Sequence, residues 1–179
     1  MQGPLPYYAA LIEEAFRRLG IAPKDARTKQ PANWVLRRGT AEIAVTLHPG
    51  PEKKGLFLRM LSPIVEVTEH NCSQLRQDVL QLNYQLTNAA FSEFEGVIYL
   101  VHTQDATLLT PDQAARAFDS FSYFADSLDE QLQEKFKFEK RPPIGFNRDT
   151  PAPTVAEEQG GNPIETGSDG TQAPEEGWF

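Results

Sequence analysis

Trp34-Val35-Leu36-Arg37-Arg38-Gly39-Thr40-Ala41-Glu42-Ile43-Ala44-Val45-Thr46-Leu47 is the stretch that decides the architecture. Trp34, Leu36 and Arg38 alternate with Val35 and Arg37, and Ile43, Val45 and Leu47 alternate with Glu42, Ala44 and Thr46. A period of two marks strands with one apolar face, and Gly39-Thr40 between the runs supplies a tight turn, so the stretch reads as a β-hairpin. A second turn, Pro49-Gly50-Pro51-Glu52-Lys53-Lys54-Gly55, leads into Leu56-Phe57-Leu58-Arg59-Met60-Leu61. This third strand is expected to be interrupted at Pro63, with Ile64-Val65-Glu66-Val67 as its extension. Three antiparallel strands in sequence make a meander.

Outward from the meander the period changes. Before it, Tyr8, Leu11, Ile12, Ala15, Phe16 and Leu19 recur at three- and four-residue steps with Glu13, Glu14, Arg17 and Arg18 between them, the pattern of an amphipathic helix. Gly20 can take the left-handed cap conformation and Pro23 cannot continue a helix, so this one ends there, with a polar link over 24–33. After the meander, Leu75, Val79, Leu82 and Leu86 return to helical spacing over 73–86, with Asn71 or Ser73 as cap. Residues 90–94 and 97–102, joined at Glu95-Gly96, form a second hairpin. Thr110-Pro111-Asp112-Gln113 then carries a capping-box signature ahead of a long helix. Its stripe runs through Ala114, Ala117, Phe118, Phe121, Phe124, Ala125, Leu128, Leu132 and Phe136, and reads as core packing.

The expected fold class is therefore α+β: an antiparallel five-stranded sheet with flanking helices in the order α-βββ-α-ββ-α, occupying residues 1–140. Residues 141–179 hold six of the 14 prolines, six of the 12 glycines and seven acids against two arginines. Such a segment has too little apolar surface to offset its ordering entropy and reads as a disordered acidic tail. Only its last residues, Glu175-Glu176-Gly177-Trp178-Phe179, have the character of a docking motif.

Composition excludes several functions. A formal net charge of -8, with no segregated basic patch, opposes binding of nucleic-acid phosphates. Nowhere do some eighteen apolar residues run together, and Met1 to Pro6 lack a basic stretch followed by an apolar one, so neither a membrane span nor secretion is expected. The lone Cys72 cannot form an internal disulfide, which points to a reducing cytoplasm.

Chemistry-bearing motifs are equally sparse. His48, His70 and His102 fall in different expected elements, and His70-x-Cys72 is a two-ligand fragment where structural zinc requires four, so no metal or other cofactor is expected. Cys72 near a helix start lacks an evident base beside it. Nucleophile elbows and phosphate-cradling glycine loops are absent from the sequence. Pairs such as Glu13-Glu14 and Asp129-Glu130 read as solvated helix surface. The expectation is a protein that is not an enzyme and has no catalytic residue.

The element order, together with Trp34-Val35-Leu36-Arg37-Arg38-Gly39, Leu58-Arg59-Met60-Leu61-Ser62-Pro63, Leu80-Gln81-Leu82-Asn83 and Leu108-Leu109-Thr110-Pro111-Asp112, resembles the YbjN family over roughly residues 5–135. That resemblance implies a bacterial sensory-transduction regulator with a fold similar to type III secretion chaperones, which are dimers that hold extended partner segments. It implies no catalytic activity. The tail ending in Trp-Phe lies outside the family pattern.

Two functions from different classes follow. In the first, the chain is a chaperone-like adaptor or regulator, a homodimer that binds a protein partner by strand addition or in an apolar groove. Strand 3 and its extension are apolar at both parities, whereas a sheet with one wet face alternates cleanly. Phe57, Leu61, Ile64, Val65 and Val67 are therefore candidate partner-binding residues, cover by the protein's own helices being the alternative. Trp178 and Phe179 are further candidates, on a tether that otherwise serves solubility. In the second, the chain is a small-molecule-binding sensory domain with a pocket between sheet and long helix lined by Phe118, Phe121, Tyr123 or Phe124.

Overall fold

The computed structural model describes residues 5–50 and 54–136. Its elements are α1 (Leu5–Arg18), α2 (Pro23–Ala26), β1 (Asn33–Arg38), β2 (Ala41–Pro49), β3 (Leu56–Glu66), α3 (Cys72–Gln85), β4 (Ala90–Phe94), β5 (Val97–Asp105) and α4 (Pro111–Phe136), with a 3-10 turn at Ala106–Leu108 between the last two. The strands form one antiparallel sheet in the order β1-β2-β3-β5-β4. The α-βββ-α-ββ-α order thus holds, with one addition. The short α2 occupies part of the expected polar link, because Pro23 sits at a helix start, where its missing N–H costs nothing.

Both hairpins turn in two residues. Arg38 pairs with Ala41 across Gly39-Thr40, and Phe94 pairs with Val97 across Glu95-Gly96. Gly39 takes φ +48, and an added Cβ there would lie 2.4 Å from the Asp126 carboxylate of α4. That carboxylate accepts from the Thr40 backbone N–H at 2.9 Å and from its hydroxyl at 3.2 Å, so α4 grips the tip of the first hairpin.

Strand 3 does not stop at Pro63. It runs on to Glu66, with Pro63 opposite Tyr99 of β5 and a register shift between Pro63 and Val65. Its ladder with β2 ends at Leu61, so the proline lies where β3 has become an edge on that side and an N–H is dispensable. The shift is a bulge, and it turns Ile64 and Val65 to the same side. This is the physical origin of the mixed parity in that strand.

Among the described residues, α1, α3 and α4 meet the inward side chains on one face of the sheet. Trp34, Leu36, Ile43, Val45, Leu58, Met60 and Leu100 join Ile12 and Phe16 of α1, Leu75 and Val79 of α3, and Phe118, Phe121 and Ala125 of α4 in one buried cluster. Phe16 is its hinge point, with its ring centre 5.8 Å from Trp34 and 5.0 Å from Phe118. Each such fully buried ring contributes about 2–3 kcal/mol of transfer free energy. The capping box at α4 forms as its sequence implies: Thr110 Oγ1 accepts from Gln113 N at 3.3 Å, and Gln113 Oε1 accepts from Thr110 N at 2.9 Å.

Capping at α3 differs from expectation. Neither Ser73 nor the Asn71 side chain caps it. Asn71 stands at the cap position, but its Oδ1 accepts from Thr68 N at 2.8 Å and its Nδ2 donates to the Glu66 carbonyl, closing the turn behind β3 instead. Such side chains choose freely between cap and turn geometry, and here the turn prevails.

Candidate functional site: an open sheet face and an inner cleft

The face of the sheet away from the helices carries a row of small and branched apolar side chains. Register places Val35 beside Ala44, Ala44 beside Leu61, Leu61 beside Val101 and Val101 beside Ala90, so the row crosses all five strands. Val35 and Ala44, each 2% exposed, are buried yet stand outside the helix-backed cluster. Leu61 and Val101 are half-buried, and so are Phe57, Val97 and Tyr99 on the same face, while Phe94 at the β4 end is 64% exposed. His48 stacks on Phe57 with ring centres 6.0 Å apart. Polar groups frame the apolar row: Arg59 is exposed, and Arg37 pairs with Glu42 across β1 and β2 at 2.6 Å.

Sequence-based partner residues are thereby divided. Phe57 and Leu61 lie on the open face. Ile64 and Val65, each 1% exposed, are held in the chain's own core by the bulge, which removes them from any surface; the helices cover this part of the excess. Val67 leans half-buried against that core, its N–H donating to Gly96 O at 2.7 Å. Trp178 and Phe179, with the rest of the tail, lie outside the described residues. Missing from the sequence reading were Val35, Ala44, Tyr99 and Val101. The run Val97-Ile98-Tyr99-Leu100-Val101 carried the same signal as β3, apolar side chains at both parities.

Both sheet edges are blunted, which bears on the mode of binding. On β4, Phe91 N donates to Asn83 Oδ1 at 2.6 Å and Asn83 Nδ2 donates to the Phe91 carbonyl at 3.3 Å. The carboxamide of α3 thus occupies the place a further strand would take. On β1, Arg27 bridges to Trp34 and Thr28 N donates to the Asn33 carbonyl at 3.0 Å. Arg27 is held there by Glu13 of α1, whose carboxylate takes its guanidinium at 2.6 and 2.8 Å and the Trp34 indole N–H at 3.3 Å. The Arg27 hydrogen bonds hold the Glu13 carboxyl below its ordinary value, against a burial penalty that raises it, with the indole adding to the lowering.

On the helical side, β5, α4 and the link between α3 and β4 border a half-open cleft of about 300 Å³. Its β5 wall is His102 and Gln104, inward neighbours of Met60 and Leu58. Arg116, Ser120, Phe121 and Phe124 of α4 face them. His102 Nδ1 contacts the carbonyl of Asn88, a residue at φ +61, leaving Nε2 buried without a hydrogen bond. Gln104 Nε2 is buried and unpartnered as well. Of the expected pocket residues, Phe121 and Phe124 line the cleft. Phe118 is core, and Tyr123 lies under the Arg38 guanidinium at 5.5 Å instead.

Several other titratable groups make structural contacts. Arg38, buried in β1, donates to Asp119 Oδ1 at 2.7 Å and to Ser122 Oγ at 3.2 Å. Lys135 lies 2.6 Å from Asp78, whose carboxyl it holds below the ordinary value. His70 is exposed in the turn before α3, and Cys72 donates weakly to the Glu69 carbonyl at 3.6 Å. Among the described residues no three His, Cys, Asp or Glu side chains gather as a metal site, and no helix is long and apolar enough to cross a membrane.

These features define an α+β protein built on a single antiparallel sheet that, among the described residues, is helix-covered on one face and carries no helix on the other. The chain belongs to the YbjN family, whose pattern matches residues 8–134 and whose description is "Putative bacterial sensory transduction regulator". Curated protein sequences provide no match to it. Among solved structures it is similar to YbjN of E. coli, described as a "putative transcription regulator", at 12% identity, with 80% of this chain and 98% of that one covered and a TM-score of 0.52. It is also similar to the Yersinia pestis type III secretion chaperone SycH in complex with a fragment of YscM2, at 19% identity, 68% and 98% coverage and TM-score 0.47. The ExoU-SpcU complex of the Pseudomonas aeruginosa type III secretion system matches at 13% identity, 66% and 95% coverage and TM-score 0.49. At these identities the likeness concerns the fold.

Proposed function

We propose that the chain is a non-catalytic, cytoplasmic regulator that holds a segment of a partner protein across the open face of its sheet. The apolar row from Val35 to Ala90 is the observation that carries this reading. An antiparallel sheet with one wet face alternates apolar and polar residues, and an apolar row on the side that the described helices do not cover has a physical rationale when a second surface covers it. The blunted edges favour docking on the face over strand addition, since Asn83 and Arg27 take up edge positions a new strand would need. The single thiol is consistent with a reducing compartment, and the family description with a regulatory role.

The test places a photo-crosslinking residue at Val101 on the face or at exposed Glu130 on α4, in the full chain and in its native cell extract. Cross-links specific to Val101 and lost on adding Leu61→Asp support the proposal. Equal cross-linking from both positions, or capture untouched by Leu61→Asp, overturns it. A second copy of the chain also fits a face of this kind, and light scattering on the same proteins separates a homodimer from a foreign partner: a dimer that Leu61→Asp converts to monomer assigns the face to self-association.

A further inference from the structure

We propose that the inner cleft binds a small aromatic hydroxycarboxylate. This inference concerns the face of the sheet opposite the partner surface and stands independently of it. Three features converge. Arg116, exposed on α4, has no hydrogen bond or ion pair with any described residue, because the acids one helical turn to either side are engaged elsewhere: Asp112 by Arg18 and Asp119 by Arg38. Among the described residues no carboxylate lines the cleft and Arg116 gives it a positive charge, so a net anion suits it better than a zwitterion.

The β5 wall supplies complementary polar atoms. With its Nδ1 on the Asn88 carbonyl, the His102 ring keeps the unpartnered Nε2 for a hydrogen bond with a ligand hydroxyl. The unpartnered Gln104 amide N–H₂ offers a donor to a ligand oxygen. Buried polar atoms left unpaired cost free energy that a matched ligand recovers. Phe121 and Phe124 provide apolar walls, and Phe121 meets the His102 ring edge-on at 6.4 Å between centres.

Size narrows the class further. A cleft of about 300 Å³ lies at the small end of ligand sites and suits a single substituted ring. One ring, one carboxylate and one hydroxyl fill it, with the carboxylate on Arg116, the hydroxyl on His102 and the ring against the phenylalanines. Charge-assisted pairing of guanidinium with carboxylate provides most of the selectivity over neutral analogues.

The experiment titrates 4-hydroxybenzoate and mandelate into the full chain, reading the His102 ring ¹⁵N shifts by NMR and the heat by calorimetry, with benzyl alcohol and phenylalanine as neutral and zwitterionic controls. The expected result is saturable movement of the His102 Nε2 signal by at least one of the two anions and none by the controls. Arg116→Met, at an exposed position that leaves the fold intact, is expected to weaken binding about tenfold or more. Gln104→Leu is expected to weaken it by a similar factor, and Glu130→Gln, exposed on α4 away from the cleft, to leave it unchanged. Absence of a saturable His102 response to both anions overturns the proposal, as does binding that Arg116→Met leaves intact.

Discussion

Replacing Gly39 by alanine isolates the contact that joins the first hairpin to α4. Two costs are superposed at this residue. An L side chain at φ +48 is disfavoured by about 1 kcal/mol. The new Cβ would also lie 2.4 and 2.5 Å from the Asp126 carboxylate oxygens, closer than any real contact, so that carboxylate must swing away. Its departure breaks the 2.9 Å bond from Thr40 N and the 3.2 Å bond from the Thr40 hydroxyl. At an exposed site these are together worth about 1–2 kcal/mol. Gly39→Ala should therefore destabilise by about 2–3 kcal/mol and Asp126→Ala by about 1–2 kcal/mol. The double variant should lose only about 2–3 kcal/mol in all, because the clash has no partner once the carboxylate is gone. Urea unfolding of the four proteins, at unchanged m, measures the cycle. If the two losses add to within about 0.5 kcal/mol, the sites are independent and the clash argument is refuted.

The edge carboxamide is tested by Asn83→Ala. It should expose the Phe91 N–H and C=O, lower stability by about 1–3 kcal/mol and introduce concentration-dependent association in size-exclusion chromatography, whereas a monodisperse variant at all concentrations would contradict the edge-guard role. Thr110→Ala removes one arm of the α4 capping box and should cost about 1 kcal/mol in urea unfolding, with Thr110→Ser recovering most of it. Glu13 gives acid sensitivity of defined sign. Its folded carboxyl lies below the ordinary 4.5, so its contribution is full above that value and lost as pH falls through the folded value, where the unfolded chain has bound its proton first. Glu13→Gln should flatten that part of the stability-versus-pH curve, and a curve parallel to the parent's from neutrality down to the acid limb would rule out the linkage.

Strand and helix order were legible because each element carries its own period. The β1–β2 hairpin alternates about a two-residue turn, and the α4 stripe and its capping box state the helix start to the residue. The reading failed where two local solutions compete. A proline in a strand argues for interruption, and only tertiary context reveals that the β2–β3 ladder ends at Ala44 and Leu61, leaving Pro63 outside it. Bulges are likewise invisible to a period-two count: the excess at Ile64 and Val65 signalled a second buried face but was in fact two side chains turned to the same one. The apolar row, by contrast, is a product of register. Val35 and Ala44 are unremarkable in their own strands and gain meaning once aligned with Leu61 and Val101. The cleft is less legible still, since His102, Gln104 and Arg116 lie on separate elements and form no motif along the chain.

The two surfaces are one sheet thickness apart and share β5, where Val101 points to the open face and His102 to the cleft. Alternation along the strand makes them physically separable: an outer substitution changes no cleft-lining atom, and an inner one changes no atom of the apolar row. The four remaining strands and the helices divide in the same way. Asn83, Arg27 and the α4 grip on Gly39-Thr40 act on the edges and tip, and none of them contributes to either surface. Loss of partner binding in Leu61→Asp with hydroxycarboxylate binding retained would thus assign the face alone, and the reverse pattern in Arg116→Met would assign the cleft alone. Simultaneous loss in either variant would instead require movement of β5 as a unit. A shift of backbone amide signals along β5, measured on titrating 4-hydroxybenzoate, reports that movement directly: shifts confined to the cleft-lining residues show a rigid partition, and shifts reaching Leu61 across the β3–β5 ladder show a sheet that transmits occupancy from one face to the other.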